Sequence, residues 1–140
     1  MKQLDFTVRS NEKLNDQNHL LKVVPSDNEQ LPEMLPGQFV QILVENAQHT
    51  FLRRPISINN IVPERNEIWL LVQSVGEGTQ KICEMAVGGR LNMLVPLGNS
   101  FTIPSSRGSY LLVGGGVGTA PLLFLGKKLH ERGIACDFLL

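Results

Sequence analysis

The 140-residue sequence has little cysteine, few aromatic residues and no excess of charge of either sign. Its two cysteines, Cys83 and Cys136, are too few for a disulfide framework or a four-ligand metal site. Thirteen basic residues balance thirteen acidic ones, so charge gives no reason to expect nucleic acid or an anionic membrane as a partner. The N-terminus also lacks the apolar core of a secretory signal. We therefore expect a cytoplasmic protein without a metal site.

Long hydrophobic runs are also scarce, and only the segment 111–125 raises the question of a membrane span. A transmembrane helix needs about 20 mainly apolar residues without a break. In this segment four glycines and Pro121 fall near the middle, where they would interrupt a lone helix. The composition, with 42% hydrophobic and 19% charged residues, is that of an ordinary globular chain. We therefore expect no membrane partner.

Short runs rich in β-branched residues fill the first two thirds of the chain. Turn signals containing proline, glycine or asparagine separate them, and this spacing predicts a small antiparallel barrel or sandwich. The predicted strands are DFTVRS (5–10), HLLKVVP (19–25), GQFVQILVE (37–45), RRPISINNIV (53–62), EIWLLVQSV (67–75) and RLNMLVPLGN (90–99). A short helix, QKICEMAV (80–87), is predicted between the last two, with Ile82, Met85 and Ala86 on one face.

The pattern changes near Pro104. A strand SYLLV (109–113), a helix TAPLLFLGKKLHER (119–132) and a strand IACDFLL (134–140) predict a βαβ unit with parallel strands. Gly133 suits the position just after a helix. Parallel sheets normally carry helices on both faces, so residues 104–140 are expected to be the first part of a larger, truncated α/β domain. The alternative is a two-layer domain in which the barrel covers the open sheet face.

The segment VGGGVGTAP, at 113–121, lies between the predicted strand and helix of this unit. Glycine lets the backbone approach a ligand closely, and a helix N-terminus offers free N–H groups to an anion. The dinucleotide fingerprint G-x-G-x-x-G does not fit in any register, because Thr119 stands where the third glycine is required. A phosphate-binding turn is favoured over a structural βα turn. The candidate residues are Gly114, Gly115, Gly116, Gly118 and Thr119.

Two further segments contain candidate phosphate-binding residues. In FLRRPISI, at 51–58, Arg54 could grip a phosphate with two parallel hydrogen bonds, although a solvated arginine pair at a barrel rim is an equally good interpretation. In VGEGTQ, at 75–80, Gly78 and Thr79 offer glycine access and a hydroxyl at a helix start. Each segment alone is a weak signal.

In combination, R-P-I-S, then G-E-G-T, then G-G-G-V-G-T-A-P resemble the ferredoxin reductase superfamily of flavin- and pyridine-nucleotide-binding proteins. The order and spacing match along almost the whole chain. Within the superfamily, LRRPISI with VGEGT is similar to the electron-transfer subunits of NAD-dependent dihydroorotate dehydrogenase B. The resemblance implies a six-stranded antiparallel Greek-key barrel at 1–103 that binds FAD, followed at 104–140 by the N-terminal part of an NAD-binding α/β domain.

The resemblance also implies cofactor contacts but no catalytic side chain, because the hydride step needs no acid or base. It places three residues on the FAD phosphates: Arg54, Gly78 and Thr79. It places three along the flavin ring: Pro55, Ile56 and Ser57. It gives the next strand cofactor contacts through backbone groups: Leu71, Val72 and Gln73. It places the glycine-turn residues on the NAD pyrophosphate: Gly114, Gly115, Gly116, Gly118 and Thr119.

The implied function is electron transfer in pyrimidine biosynthesis. Electrons from dihydroorotate would pass through an FMN-containing catalytic subunit and a 2Fe–2S cluster to FAD and then to NAD⁺, in a heterotetramer. The cluster needs four thiolates, and this chain has two cysteines, so the cluster's ligands are absent here. A ferredoxin–NAD(P) reductase-type flavoprotein and a cofactor-free β-barrel interaction module are the alternatives.

Overall fold

The computed structural model describes residues 1–140 and consists of a closed six-stranded barrel followed by a small βαβ unit. The barrel strands are β1 (Lys2–Lys13), β2 (Asn18–Pro25), β3 (Phe39–Ile42), β4 (Arg54–Val62), β5 (Glu67–Gln73) and β6 (Arg90–Leu97). They follow the order β1-β2-β5-β4-β3-β6 around the barrel, and all the neighbouring pairs are antiparallel. The predicted six-stranded antiparallel barrel is confirmed.

The barrel closes because its strands send alternate apolar side chains into one interior. Along β5, for example, Ile68, Leu70 and Val72 are completely buried, whereas the residues between them are partly exposed. Successive side chains of a strand point to opposite faces, so this alternation fixes which face each strand turns inward. Eighteen buried residues form one continuous cluster, which fills the interior and extends beneath the helices packed on the barrel.

The short helix α1 (Glu77–Cys83) begins earlier than its hydrophobic pattern predicts. The Oγ1 atom of Thr79 accepts hydrogen bonds from the backbone N–H groups of Val75 and Gly76, and these bonds fix the first turn. Ile82 is buried as expected, but Met85 and Ala86 lie beyond the last helical residue. The prediction of a helix over 80–87 was therefore wrong at both ends.

The second unit has the predicted βαβ order. Strand β7 (Tyr110–Val113) leads through a 3-10 turn at Gly116–Thr119 into helix α2 (Leu122–Glu131), and β8 (Cys136–Leu139) lies parallel to β7. The helix starts later than 119 because the 3-10 turn occupies its predicted first turn. Gly133 has a φ of +72°, as expected for the residue after a helix. No helix combines the length and the apolar character needed to cross a bilayer.

Helix α2 lies between the barrel and the two-stranded sheet. Phe124 belongs to the barrel's buried cluster, and Leu125 and Leu129 pack with Ile134 beneath the sheet. The other sheet face is uncovered and mainly apolar, with Leu111, Val113 and Leu139 exposed by 59%, 63% and 59% and Asp137 beside Leu111. The barrel therefore does not cover this face. The domain boundary between residues 103 and 104 stays a prediction; it falls between β6 and β7.

Candidate functional site

The candidate site begins where β4 and β5 separate. These strands pair from Val62–Glu67 to Ile58–Leu70. Towards Arg54, β4 pairs with β3, and towards Gln73, β5 pairs with β2. The two strands thus open into a cleft at one end of the barrel, and their backbone groups in this region do not bond to each other.

The cleft has a volume of about 290 Å³ and lies between the barrel and the second unit. Its barrel side contains five of the six cofactor contacts predicted at 55–57 and 71–73, and its other wall comes from the glycine turn and the start of α2. The barrel residues are Pro55, Ile56, Ser57, Leu71 and Gln73, joined by Val75 and Thr79. The opposite residues are Val117, Gly118, Ala120 and Pro121. The sixth, Val72, has its side chain buried inside the barrel, so only its backbone is available.

The two adjacent arginines have different surroundings. The Arg53 guanidinium donates to the backbone oxygens of Gln41 and Asn92 and to Asn92 Oδ1, at 3.3, 3.1 and 2.6 Å. It therefore holds β3 and β6 together. Arg54 donates only from Nε, to the Arg53 carbonyl at 3.3 Å, and its side chain lines a cavity of about 330 Å³. Arg54 is thus the arginine whose guanidinium can receive an anion.

Glycine at position 78 makes room for Arg54. A Cβ atom added to Gly78 would lie 2.8 Å from Arg54 Cδ and 3.0 Å from Thr50 Cγ2, closer than real Cβ contacts come. Any larger residue there would displace the arginine stem. The cavity around this contact is lined by His49, Thr50, Arg54, Val75, Gly76, Glu77, Gly78 and Thr79.

Glu77 ties the preceding loop to the first turn of α1. Its carboxylate accepts hydrogen bonds from the backbone N–H groups of Gln48 and His49 and from Thr50 Oγ1, at 2.9, 2.8 and 3.1 Å. Partial desolvation pushes the pKa of Glu77 upward, but the backbone bonds from His49 and Gln48 outweigh it and leave the pKa below its ordinary value. The ionised carboxylate therefore closes one side of the Arg54 cavity.

The glycine turn has N–H groups that the main chain does not use. Gly114 N donates to the β8 carbonyl of Leu139, and Gly118 N donates to Gly115 O. No turn or loop hydrogen bond runs from the N–H groups of Gly115, Gly116 or Val117. Gly116 has a φ of +56°, a conformation that side chains rarely adopt. Consecutive free N–H groups before a helix are a general means of binding phosphate.

A further cavity, of about 270 Å³, connects the glycine turn with the cleft. Gly116, Val117 and Thr119 line it from the turn, and Asn15 and Asn18 line it from the β1–β2 hairpin. It shares Leu71, Gln73 and Val117 with the cleft, and the cleft shares Val75 and Thr79 with the Arg54 cavity. Because neighbouring spaces share lining residues, the three lie next to one another from Arg54 to Gly116, and together they are called the groove.

Two predicted contact residues also have local structural tasks. Thr79 Oγ1 donates to Gly76 O at 3.2 Å while it accepts the two bonds that start α1. Gly114 packs closely: a Cβ atom there would lie 2.7 Å from Leu122 Cδ1 and 3.1 Å from Thr119 Cα. All fourteen assigned cofactor contacts stay predictions. For Thr79 and Gly114, the local hydrogen bonds and close packing also explain the residue type without a ligand.

Sequence reasoning missed Glu77, His49 and Thr50 in the Arg54 cavity, as well as Val117 and Ala120 in the cleft. An acidic residue in the first turn of a helix was the available signal for Glu77. Another cavity, of about 420 Å³, lies between α1, β6 and the segment 43–46, and contains none of the predicted site residues. No group of three or more histidine, cysteine or acidic side chains is arranged to hold a metal ion.

The barrel and the attached βαβ unit together have the fold of ferredoxin reductase-type domains. The structure of phthalate dioxygenase reductase, described as modular for electron transfer from pyridine nucleotides to a 2Fe–2S centre, superposes with a TM-score of 0.81. This match is 24% identical in sequence and covers 97% of this chain and 42% of the other. No protein-family model matches the sequence.

Sequence similarity points to one group of proteins. The chain is 41% identical over 108 residues to the dihydroorotate dehydrogenase B (NAD(+)) electron transfer subunit of Lysinibacillus sphaericus, covering 76% of this chain and 42% of that protein. It is 37% identical over 136 residues to the corresponding subunit of Bacillus velezensis, with coverage of 96% and 52%. The chain is a homologue of the dihydroorotate dehydrogenase B electron transfer subunits. It spans about half the length of these curated relatives.

Proposed function

We propose that this chain binds FAD in the groove and passes electrons between that flavin and NAD. The observation that carries the proposal is the arrangement of the groove, whose adjacent spaces lead from the Arg54 guanidinium, past the separated strands, to the free N–H groups of the glycine turn. The Arg54 guanidinium thus lies at one end of the groove, where it would bind the diphosphate of FAD. The free N–H groups lie at the other end, where they would bind the diphosphate of NAD, and the cleft lies between them.

The residues present fit a flavin. Pro55 and Leu71 give the cleft apolar walls against which an aromatic ring system can pack, whereas the Ile56 side chain lies in the barrel core. Backbone groups of the separated strands are available for the polar edge of the ring, and Ser57 contributes a hydroxyl. When bound, FAD would supply the redox chemistry, while these residues would hold and orient the ring.

The glycine turn fits the pyrophosphate of NAD for a different reason. Three successive N–H groups, from Gly115 to Val117, are free of main-chain partners, so the backbone can complement negative charge without a lysine. The turn faces the cleft through Gly118 and Ala120. A nicotinamide held from this turn would therefore approach the flavin from the side opposite β4.

The relatives are electron transfer subunits of dihydroorotate dehydrogenase B, which supports a catalytic partner subunit. We propose that an FMN-containing dihydroorotate dehydrogenase subunit supplies electrons to this FAD in a heterotetramer that serves pyrimidine synthesis. We also propose a cytoplasmic location. The 2Fe–2S cluster does not fit the residues present: Cys83 is buried at the end of α1 and Cys136 lies in β8, and two thiolates cannot complete such a cluster.

Anaerobic reduction of the FAD-loaded chain by NADH tests the electron transfer. We expect the flavin absorbance near 450 nm, a property of oxidised flavin in general, to bleach on mixing and to return when NAD⁺ is added in excess. A flavin that stays oxidised at millimolar NADH would contradict the proposal. Binding of the FAD-loaded chain to the purified catalytic subunit, measured by size-exclusion chromatography, tests the partner separately, because this contact needs neither NADH nor the 2Fe–2S cluster.

A glycine substitution separates this proposal from a cofactor-free module. Gly118→Val is the informative change, because a Cβ atom at Gly118 meets nothing within 4 Å and its φ is ordinary. Gly114 and Gly116 are poor choices, since close packing and positive φ make any side chain there unfavourable without a ligand. We expect Gly118→Val to keep its fold and its FAD but to weaken NADH binding about tenfold or more. If the chain is a module without cofactors, neither the unchanged protein nor the variant should bind NADH.

A further inference from the structure

Strand β4 contains a β-bulge just beyond the cleft. Ile58 pairs with Leu70 and Asn60 pairs with Trp69, so Asn59 is an extra residue on the β4 side. Bulges are common near active sites, where they redirect side chains. Here the bulge turns two consecutive asparagines towards α2, and both are buried, with exposed fractions of 7% for Asn59 and 2% for Asn60.

Each asparagine forms one hydrogen bond to the second unit. Asn59 Nδ2 donates to the backbone oxygen of Ala120 at 2.7 Å. Asn60 Oδ1 accepts from Lys127 Nζ at 2.9 Å, further along α2. Ala120 is the residue that joins the 3-10 part of the glycine turn to α2, so Asn59 bonds directly to the segment that would hold NAD.

Asn59 also lies close to the flavin side of the site. Ser57 lines the cleft two positions earlier on the same strand, and Ile58 between them is completely buried in the barrel. Ser57 and Asn59 therefore lie on the same outer face of β4. One short, rigid stretch of strand thus contacts both the flavin cleft and the nucleotide turn.

We propose that Asn59 is a positioning residue for hydride transfer, holding the glycine turn at a fixed distance from the flavin-facing strand. This inference rests on the proposed function. In the step concerned, NADH gives a hydride to the flavin and becomes NAD⁺, and FAD becomes FADH⁻. Because a misplacement of about 1 Å can slow such a step about 100-fold, a buried bond between the two binding elements affects the rate more than the affinity.

The test compares two substitutions at Asn59 with a matched control. Asn59→Leu removes the donor, and Asn59→Ala also removes it but leaves space for a water molecule at the Ala120 carbonyl, which guards against a variant that fails to fold. Lys127→Met also removes one hydrogen bond across the same interface and leaves a buried partner, but it acts further from the turn. FAD content and thermal midpoint are measured first for each protein.

Stopped-flow reduction of each FAD-loaded protein by NADH then gives a limiting rate and a half-saturating concentration. We expect the Asn59 variants to lower the limiting rate about tenfold to 100-fold, with the half-saturating concentration changed less than about threefold. Lys127→Met should leave the rate unchanged. Hydrogen exchange without NADH should show faster exchange at residues 117–121 in the Asn59 variants alone.

An unchanged limiting rate in both Asn59 variants, or an equal loss in Lys127→Met, would overturn the inference, because the bond would then only stabilise the interface. If wild-type flavin is not reduced by NADH at all, the proposed function fails instead. In that case hydrogen exchange still decides whether Asn59 holds the turn: unchanged exchange at 117–121 overturns that part as well.

Discussion

At the scale of single residues, the two adjacent arginines show that residue type alone does not assign a role. The Arg53 guanidinium donates hydrogen bonds to three acceptors within the barrel. The terminal nitrogens of Arg54 donate none within the chain and lie at the groove. The sequence pointed to Arg54 through the resemblance but left a solvated pair equally possible. Only the positions of Gln41 and Asn92, on strands distant in sequence, distinguish the two side chains.

This difference predicts opposite effects for a matched pair of substitutions. Arg54→Gln should weaken FAD binding about tenfold or more while leaving the free energy of unfolding of the unloaded protein nearly unchanged, because it loses one weak internal bond. Arg53→Gln should lower that free energy by about 2 kcal/mol, since carbonyl and amide oxygens lose a charged donor. Fluorescence titration with FAD and urea unfolding measure the two effects. Equal loss of FAD affinity in both variants would contradict the assignment.

The Glu77 carboxylate predicts a pH dependence of the loop that closes the Arg54 cavity. Because its folded-state pKa lies below the ordinary value of 4.5, its stabilisation is fully present above that value and is lost as pH falls through the lower, folded pKa. The amide signals of Gln48 and His49 in NMR spectra should therefore shift together in this acid range. Glu77→Gln should remove that transition. A transition that persists in the variant would mean that another group controls the loop.

At the scale of elements, the sequence predicted the strands because alternation and turn residues are local signals. The turn at 63–66 and the stop at Gly133 were also readable, since left-handed φ values favour asparagine and glycine. The limits of α1 were not readable. Ile82, Met85 and Ala86 have helical spacing, but the hydrogen bonds of Thr79 start the helix earlier, and the pattern cannot report them.

The candidate site was predictable in its parts but not in its assembly. The glycine turn and Arg54 carry sequence signals, whereas the separation of β4 from β5 depends on which strands pair across the closed barrel. The bulge at Asn59 likewise appears only once the register with β5 is known. The cleft and the bulge therefore depend on strand pairing between residues distant in sequence, which local sequence patterns do not reveal.

Helix α2 provides a prediction at this scale. Phe124 is buried in the barrel cluster, and its neighbour Leu123 is 40% exposed. Phe124→Ala should cost about 3–5 kcal/mol of unfolding free energy, because it opens a cavity between helix and barrel. Leu123→Ala, the matched control on the same helix, should cost less than about 1 kcal/mol. Urea unfolding compares them, and similar losses would contradict the described docking of α2.

At the scale of the whole molecule, the uncovered sheet face is the main exposed apolar surface of the second unit. Val113 lies opposite Leu139 and two residues from Leu111, with Asp137 opposite Leu111, and contiguous apolar patches promote association. We expect the chain to associate with increasing concentration, and the double change Leu111→Thr with Val113→Thr to reduce this while leaving FAD binding intact. Light scattering across a concentration series checks the expectation. Unchanged association in the double variant would contradict it.

The central claim is that one groove, with a cationic end at Arg54 and a ring-sized cleft between separated strands, binds FAD. Titrating the purified chain with FAD, followed by flavin fluorescence and absorbance, tests this claim most directly. The account predicts saturation at one FAD per chain with a changed flavin spectrum, and a clear loss of affinity in Arg54→Gln. A flavin spectrum that stays that of free FAD, with no uptake at tens of micromolar protein, would contradict it.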